Sequence, residues 1–253
     1  MSRFFITLAY NGKNYVGWQV QPNGISVQYL VQQALSTLLR SEISVVGAGR
    51  TDAGVHARKM IAHFDWEGDA FDEKDLVFRL NGFLPNDIAV YKIEKVNDEA
   101  HARFSAVSRT YKYFITTRKD PFRHDLQYRV FFSPDMDKMN CCAALLKGYT
   151  DFTSFSKLHT DVKTNNCIIS YASWEKVGEH DYVFTISADR FLRNMVRAIV
   201  GTLLEVGRGR LDEDGFKKII EAKDRRLAGN SAPGYGLYLY DVVYPEWVYR
   251  TED

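Results

Sequence analysis

The order of predicted strands and helices is the feature that most constrains the fold of this 253-residue chain, because the same order occurs twice. The first half reads strand, helix, strand, strand, helix, strand, because runs of β-forming residues alternate with apolar residues at helical spacing. Its segments are predicted at residues 3–10, 26–40, 43–46, 60–66, 72–84 and 88–96. The second half repeats the order at residues 105–117, 135–148, 167–177, 181–189, 193–206 and 236–245, with an extra helix at 212–222.

Two successive units of this order predict an α+β protein with a duplicated ferredoxin-like, or RRM-like, architecture. Each half, residues 1–103 and 104–253, is expected to form a mostly antiparallel four-stranded sheet with helices on one face. The two sheets would lie side by side and leave an active-site cleft between the halves. No Pro-rich or Ser-rich linker separates the halves near residue 100, so we expect them to pack as a unit.

The predicted helices carry apolar stripes that indicate the core. In the helix at residues 26–40, Ser26 is a suitable N-cap, and apolar residues recur every three or four positions. The stripes of the helices at 135–148 and 193–206 are formed by Met139, Cys142, Ala143 and Leu146, and by Met195, Ile199, Leu203 and Val206. The three cysteines, Cys141, Cys142 and Cys167, are too few for a disulfide framework and include no CxxC pair, so buried reduced thiols are expected.

Charge is distributed unevenly, although the formal net charge is only +1. Residues 65–99 contain ten acids and four bases, whereas residues 103–129 contain seven bases and two acids. Such a distribution can steer a polyanion to one face, but two ordinary solvated surfaces explain it equally well. The N-terminus has no signal-peptide pattern, and no segment is apolar for long enough to cross a membrane, so a cytoplasmic protein is expected.

The segment GAGRTDAGVHA, residues 47–57, places an Arg-Thr-Asp sequence among small residues that let a large ligand approach closely. It is not a dinucleotide-binding fingerprint, because that motif opens a helix, whereas this segment leads into a strand. Asp52 is either an ordinary turn-forming aspartate or a catalytic acid. Arg50 beside it favours the ionised carboxylate, which can serve as a nucleophile or a base.

The strand at residues 105–117 brings basic and aromatic side chains together. Arg109, Tyr111 and Tyr113 lie on one face by the period-two rule, and this arrangement can stack nucleic-acid bases. A tyrosine packed on the sheet is the alternative, and it is the better interpretation of Tyr113.

The helix predicted at residues 193–206 is strongly apolar but carries two arginines. Arg193 and Arg197 are four positions apart and therefore predicted to share a face. An arginine on so apolar a helix usually has a carboxylate partner, for which Asp52 is a candidate.

Five segments, in this order along nearly the whole chain, resemble the TruA family of tRNA pseudouridine synthases: GAGRTDAGVHA, ARFSAVSRTYKY, DFTSFS, FLRNMVRAIVG and GLYLYDVVYP. The resemblance implies two RRM-like halves around a basic cleft, a homodimer, and no cofactor or metal. It implies isomerisation of uridine to pseudouridine at positions 38, 39 and 40 of the tRNA anticodon stem-loop. The chain departs from the family pattern at residues 157–166, where Lys163, Thr164 and Asn165 replace a Ser-Arg-Thr-like segment. This departure bears on the RNA contacts of the segment and not on the chemistry, and the polarity of the loop is compatible with ordering on RNA binding.

The same resemblance implies roles for individual residues. Asp52 matches the family's essential aspartate, and Tyr111 matches the tyrosine that stacks on the target uracil and takes a proton. Arg197 matches the arginine that pairs with the aspartate, and Arg50 matches the arginine that helps to extrude the base. Further candidates for binding the RNA are Arg58, Arg109 and Arg193.

The chemistry of pseudouridine formation fits these residue types. The C–N glycosidic bond breaks, the uracil rotates and rejoins through C5, and no redox cofactor is required. Attack of a carboxylate on C6 of the uracil and assistance at C1′ of the ribose both fit. A non-catalytic RNA-binding protein of two RRM-like units is the alternative, but it would not need Asp52. A nucleotide hydrolase would need a P-loop or a metal site that the sequence lacks.

Overall fold

A computed structural model describes residues 1–157 and 164–249 of the chain. Its helices and mostly antiparallel strands confirm the predicted α+β class. The residues form two compact units: Met1–Val107 together with the segment that begins at Leu239, and Ser108–Tyr238. The predicted division at 103/104 differs from this one mainly because the C-terminal segment belongs to the first unit.

The first unit follows the predicted order of elements. Its elements are β1 (Ser2–Tyr10), α1 (Val27–Leu39), β2 (Val46–Gly47), β3 (His56–Trp66), α2 (Glu73–Phe83) and β4 (Ile88–Val96). Strand β1 lies between β3 and β4 and pairs antiparallel with both, so that Phe5 is opposite His63 on one side and Glu94 on the other. Strand β2 pairs antiparallel with β3. The part of a ninth strand, β9 (Leu237–Val243), that belongs to this unit lies beside β3.

Helix α1 begins and ends where its cap and apolar periodicity predict. The Ser26 hydroxyl accepts a hydrogen bond from the Tyr29 N–H, which satisfies one of the unpaired donors of the first turn. The residues of the stripe that are buried are Val27, Val31, Ala34 and Leu35.

The strand predicted at residues 43–46 was wrong in extent, because pairing begins only at Val46. Just before Val46, side chains of α1 form hydrogen bonds with the backbone. The Val45 N–H donates to Gln32 Oε1 at 3.2 Å, and Gln28 Nε2 donates to the Val45 carbonyl at 2.7 Å. Since these bonds satisfy the backbone groups of Val45, which is buried, that residue needs no partner strand.

The second unit follows the predicted order up to its last strand, with additions; the strand predicted at 236–245 is β9, most of which belongs to the first unit. Its elements are β5 (Ser108–Thr116), β6 (Tyr128–Arg129), α3 (Met136–Leu145), β7 (Ile169–Lys176), β8 (Asp181–Ala188), α4 (Met195–Gly207) and α5 (Glu213–Glu221). Strand β8 pairs antiparallel with β5 and β7, whereas the short β6 pairs parallel with β5. The extra helix predicted at 212–222 is α5.

The predicted helix stripes of the second unit form its core. All eight predicted residues of these two stripes are buried. The expectation of buried, reduced cysteines is confirmed for Cys142 and Cys167 but wrong for Cys141, which is exposed. Cys141 lies one residue from the stripe and therefore on another side of α3. Within the described residues, no helix is long and apolar enough to cross a membrane.

Candidate active site

The Arg-Thr-Asp sequence lies in the loop that connects β2 to β3 in the first unit. At the start of the loop, the Ala48 N–H donates to the Ile61 carbonyl at 2.7 Å and extends the pairing of β2 with β3. Near its end, the Val55 N–H donates to the Asp52 carbonyl at 3.1 Å and closes a turn. The backbone that carries Asp52 is therefore hydrogen-bonded within the loop itself.

Thr51 anchors the middle of this loop. It is buried, and its hydroxyl shares a 2.8 Å hydrogen bond with the hydroxyl of Tyr10. Its carbonyl accepts a hydrogen bond from the Trp18 N–H at 3.2 Å. On either side of it, Arg50 is exposed and Asp52 is partly exposed. A buried threonine thus fixes the backbone from which the two charged side chains extend.

A close approach of the chain at Gly17 holds the same loop from the other side. Its φ is +112°, and a Cβ at this position would lie 2.3 Å from the Thr51 carbonyl oxygen. Only glycine accommodates both the backbone conformation and the contact. The sequence alone does not predict that Tyr10, Gly17 and Trp18 support this loop. Nothing local marks them, since Tyr10 is 41 positions from Thr51.

The tyrosines of β5 have different environments, as the sequence predicts for Tyr113. Tyr113 is fully buried, and its hydroxyl donates to the Pro233 carbonyl at 2.9 Å. Burial raises the pKa of Tyr113 well above its usual value. Tyr111 is partly exposed, and its ring packs edge-to-face with Phe191 at a centroid distance of 5.1 Å. Of the two, Tyr111 is the one whose ring can meet a ligand.

Arg109 lies on the same strand and is held by a backbone group of the second unit. Its Nη1 donates to the Asp189 carbonyl at 2.7 Å. Arg109 is opposite Ala188 in the register of β5 with β8, so this bond reaches the residue that follows the end of β8. The side chain therefore lies along the end of the strand pair.

Arg197 is held on α4 by the segment that follows α5. Its Nε donates to the Ala232 carbonyl at 2.7 Å, and the Ala232 N–H donates to the Arg197 carbonyl at 2.9 Å. One turn further along the helix, a Cβ on Gly201 would lie 1.8 Å from the Asn230 carbonyl oxygen, so glycine permits this close packing. Ala232 consequently holds both the guanidinium and the backbone of Arg197.

The prediction that Arg193 and Arg197 share a helix face is wrong. Helix α4 begins at Met195, because Asn194 adopts a left-handed conformation with φ +67° and acts as the N-cap residue. The Asn194 side-chain amide donates to the Ser231 hydroxyl at 2.6 Å, which holds this turn in place. Arg193 therefore precedes the helix, where its side chain is exposed.

The candidate residues are divided between the two units. The first unit carries Arg50 and Asp52 in the loop and Arg58, which is exposed, on β3, whereas the second carries Arg109, Tyr111, Arg193 and Arg197. The loop at residues 157–166, where the sequence departs from the family pattern, lies largely outside the described residues. Within residues 1–157 and 164–249, no group of three or more His, Cys, Asp or Glu side chains could hold a metal ion.

Comparison with known proteins shows to which family this chain is similar. The family model described as tRNA pseudouridine synthase matches residues 6–105 and 142–245. The chain is 62% identical to the tRNA pseudouridine synthase A of Parabacteroides distasonis over the full length of both chains. It is 59% identical to that of Bacteroides thetaiotaomicron, covering 100% of this chain and 94% of the relative. It is 41% identical to that of Bacillus subtilis, covering 96% and 99% respectively.

The chain belongs to the tRNA pseudouridine synthase family. It is therefore an enzyme of the isomerase class that acts on uridines of tRNA.

Proposed function

We propose that this enzyme converts uridine to pseudouridine at positions 38, 39 and 40 of the tRNA anticodon stem-loop, with Asp52 as the nucleophile. The resemblance of the five sequence segments to the TruA family supports the choice of these positions. The observation that carries the role of Asp52 is its place in the loop: the carboxylate is partly exposed, next to a buried threonine that is bonded to Tyr10 and Trp18. A nucleophile held in this way loses little conformational freedom on reaching the transition state.

The proposed reaction requires three events at one uridine. The base leaves its stack, at a cost of a few kcal/mol, and Arg50 helps to extrude it. The C1′–N1 bond breaks, the uracil rotates, and a C1′–C5 bond forms while N1 gains a proton and C5 loses one. Attack of the Asp52 carboxylate on C6 or at C1′ makes the bond cleavage possible, and product formation releases the carboxylate unchanged.

Two residues of the second unit complete the proposed site. Tyr111 stacks on the extruded uracil and accepts the proton lost from C5, a role that requires a partly exposed aromatic ring with a polar tip. Arg197 pairs with the Asp52 carboxylate. The hydrogen bond from Arg197 Nε to the Ala232 carbonyl supports this role, because it orients the guanidinium before substrate binds. Arg58, Arg109 and Arg193 are proposed to contact the phosphates of the RNA.

We also propose that each half of the chain is a ferredoxin-like unit. The order β4-β1-β3 with β2 against β3, and the order β5-β8-β7, support this arrangement, as does the match of the family model to two separate segments. The active-site cleft is proposed to lie between the halves, with the catalytic loop in residues 1–103 and the tyrosine strand and arginine helix in residues 104–253. The resemblance further favours a homodimer that works in the cytoplasm.

The experiment that tests the nucleophile is Asp52→Asn. Turnover can be followed by release of tritium from tRNA labelled at C5 of uridine, since that position loses its proton in the reaction. We expect a loss on the order of a thousandfold or more in kcat, with tRNA binding retained. Asp69→Asn, an exposed change of the same kind in the first unit, is the matched control and should leave turnover unchanged. Substantial turnover by Asp52→Asn would rule out the proposed nucleophile.

A further inference from the structure

A cavity in the second unit is built almost entirely by the segment that connects β5 to β6. Its volume is about 200 Å³, which is room for several water molecules or a group of similar size. Its lining residues are Thr116, Arg118, Lys119, Asp120, Arg123, His124, Gln127, Arg129 and Tyr235. The far end of the segment is fixed, because β6 pairs with β5 and the Val130 N–H donates to the Thr116 carbonyl at 2.9 Å.

Two side chains of this cavity have buried donors that no described residue satisfies. Gln127 is only 6% exposed, and its Nε2 has no hydrogen-bond partner among the described residues. The Nε of Arg129 is likewise buried without a partner. The Arg129 guanidinium also packs over the Phe131 ring at 4.7 Å, which restricts its orientation. A buried donor that forms no hydrogen bond costs about 1–3 kcal/mol, so two in one cavity require an occupant that accepts hydrogen bonds, either water or a ligand.

The charges around the cavity indicate that this ligand is an anion. Arg123 is neutralised by two carboxylates, donating through Nε to Asp120 at 2.7 Å and through Nη2 to Asp181 at 3.0 Å. Asp120 is the one carboxylate of the lining, and its second oxygen accepts a hydrogen bond from the Phe122 N–H at 2.9 Å. The remaining cations of the lining, which form no ion pair within the described chain, are Arg118, Lys119 and Arg129.

We propose that this cavity binds a phosphate group, and that its occupant during the reaction is a phosphodiester of the tRNA backbone. A phosphate offers several acceptor oxygens and a negative charge, which match the Gln127 amide, the Arg129 guanidinium and the two exposed cations. The proposal rests on tRNA as the substrate but not on Asp52 as the nucleophile.

The cavity positions the RNA at a distance from the proposed chemistry. Thr116, which lines it, is five residues from Tyr111 along β5, or about 17 Å at the rise of an extended strand. A phosphate bound there belongs to a nucleotide several positions from one whose base stacks on Tyr111. Phosphate contacts fix register and orientation rather than reading the sequence. The cavity is therefore a positioning site, and its loss should raise KM for tRNA and leave kcat unchanged.

Gln127→Met is the most informative variant, because methionine has a similar volume and no donor. Removing an unpaired buried amide should leave the melting temperature unchanged or raise it, whereas losing a hydrogen bond to a charged phosphate should raise KM roughly tenfold. Lys119→Met should lower the slope of log KM against log salt by roughly 0.7–0.9. The matched control is Lys147→Met, which removes the same charge from an exposed site of the same unit outside the cavity and should leave KM unchanged.

A second measurement distinguishes a tRNA phosphodiester from free phosphate as the occupant of the cavity. It follows the binding of inorganic phosphate by ³¹P NMR at constant ionic strength. A raised KM in Gln127→Met and Lys119→Met, together with a normal kcat, supports a tRNA phosphodiester. If both variants keep a normal KM for tRNA but lose the binding of inorganic phosphate, the cavity holds a free phosphate. That result overturns the role in tRNA positioning. Unchanged KM and no phosphate binding overturn the proposal entirely. A loss of kcat in Gln127→Met would contradict a positioning role, whatever the outcome for Asp52.

Discussion

Lowering the pH should destabilise the first unit through one buried histidine, His63 on β3. The residue is only 5% exposed, and its Nδ1 accepts a hydrogen bond from the Ala102 N–H at 3.1 Å. Burial, and then the charge of Arg3 and the nearby His101, lower the pKa of His63 from its ordinary value of 6.5 to about 4. Protonation at Nδ1 would also remove the acceptor that Ala102 uses. The native state thus excludes the charged form of this side chain.

The sign and size of the effect follow from proton binding. In the unfolded chain, His63 takes up a proton as the pH falls through about 6.5, whereas in the folded chain it remains neutral until about pH 4. Because the unfolded state binds more protons across this interval, the free energy of unfolding falls as the pH is lowered. The pKa difference corresponds to about 3 kcal/mol, which is a large fraction of the stability of an ordinary domain.

The test is His63→Asn, since asparagine does not titrate in this range and its Oδ1 can replace Nδ1 as an acceptor. Urea unfolding at about pH 7 and about pH 4 should show that the wild type loses about 3 kcal/mol more than the variant. His101→Asn is the matched comparison. Burial also lowers the pKa of His101, but that ring is partly exposed, so the effect should be smaller. If His63→Asn lost as much stability as the wild type, the assignment to His63 would be refuted.

Two further predictions concern helix α4 and the loop that carries Asp52. Gly49→Ala should leave the free energy of unfolding unchanged or raise it by up to about 1 kcal/mol, because a Cβ there meets no described atom within 4 Å. If Gly49 provides clearance for RNA, the same variant should still turn over tRNA more slowly, and normal turnover would contradict that role of Gly49. Gly17→Ala, in contrast, should lower both the free energy of unfolding and the turnover. Arg197→Met should lower kcat at least tenfold with an unchanged circular dichroism spectrum, whereas near-normal kcat would exclude the proposed partner of Asp52.

Elements with strong local signals could be predicted from the sequence. Helix α1 has both a cap at Ser26 and a regular apolar stripe, and β4 has a run of β-formers bounded by turn residues. The predicted ends of elements were wrong where tertiary contacts override the local preference for secondary structure. The backbone at Val45 is satisfied by side chains of α1, and the start of α4 is set by a left-handed residue, Asn194. Neither effect has a signature in the neighbouring sequence.

The residue types of the candidate site could be predicted from the sequence, but the contacts that hold these residues in place could not. An acid beside an arginine among glycines, and a tyrosine in a basic strand, are visible in the sequence. The contacts of Thr51 with Tyr10 and Trp18 are not, because they join residues that are distant along the chain. Gln127 is an extreme case. Nothing in the sequence around it shows that this glutamine is buried with an unpaired amide.

Neighbouring residues in the candidate site divide structural and chemical tasks in a consistent way. Thr51 is buried and bonded within the first unit, whereas Asp52 beside it is partly exposed. Tyr113 is buried and bonded within the second unit, whereas Tyr111, two residues away on the same strand, is partly exposed. The anchoring bonds in both places are internal to one unit, so they exist before any RNA is bound. In the proposed reaction, substrate binding then has only to bring the uridine to side chains whose backbone is already fixed, which is the condition under which preorganised charges lower a barrier most.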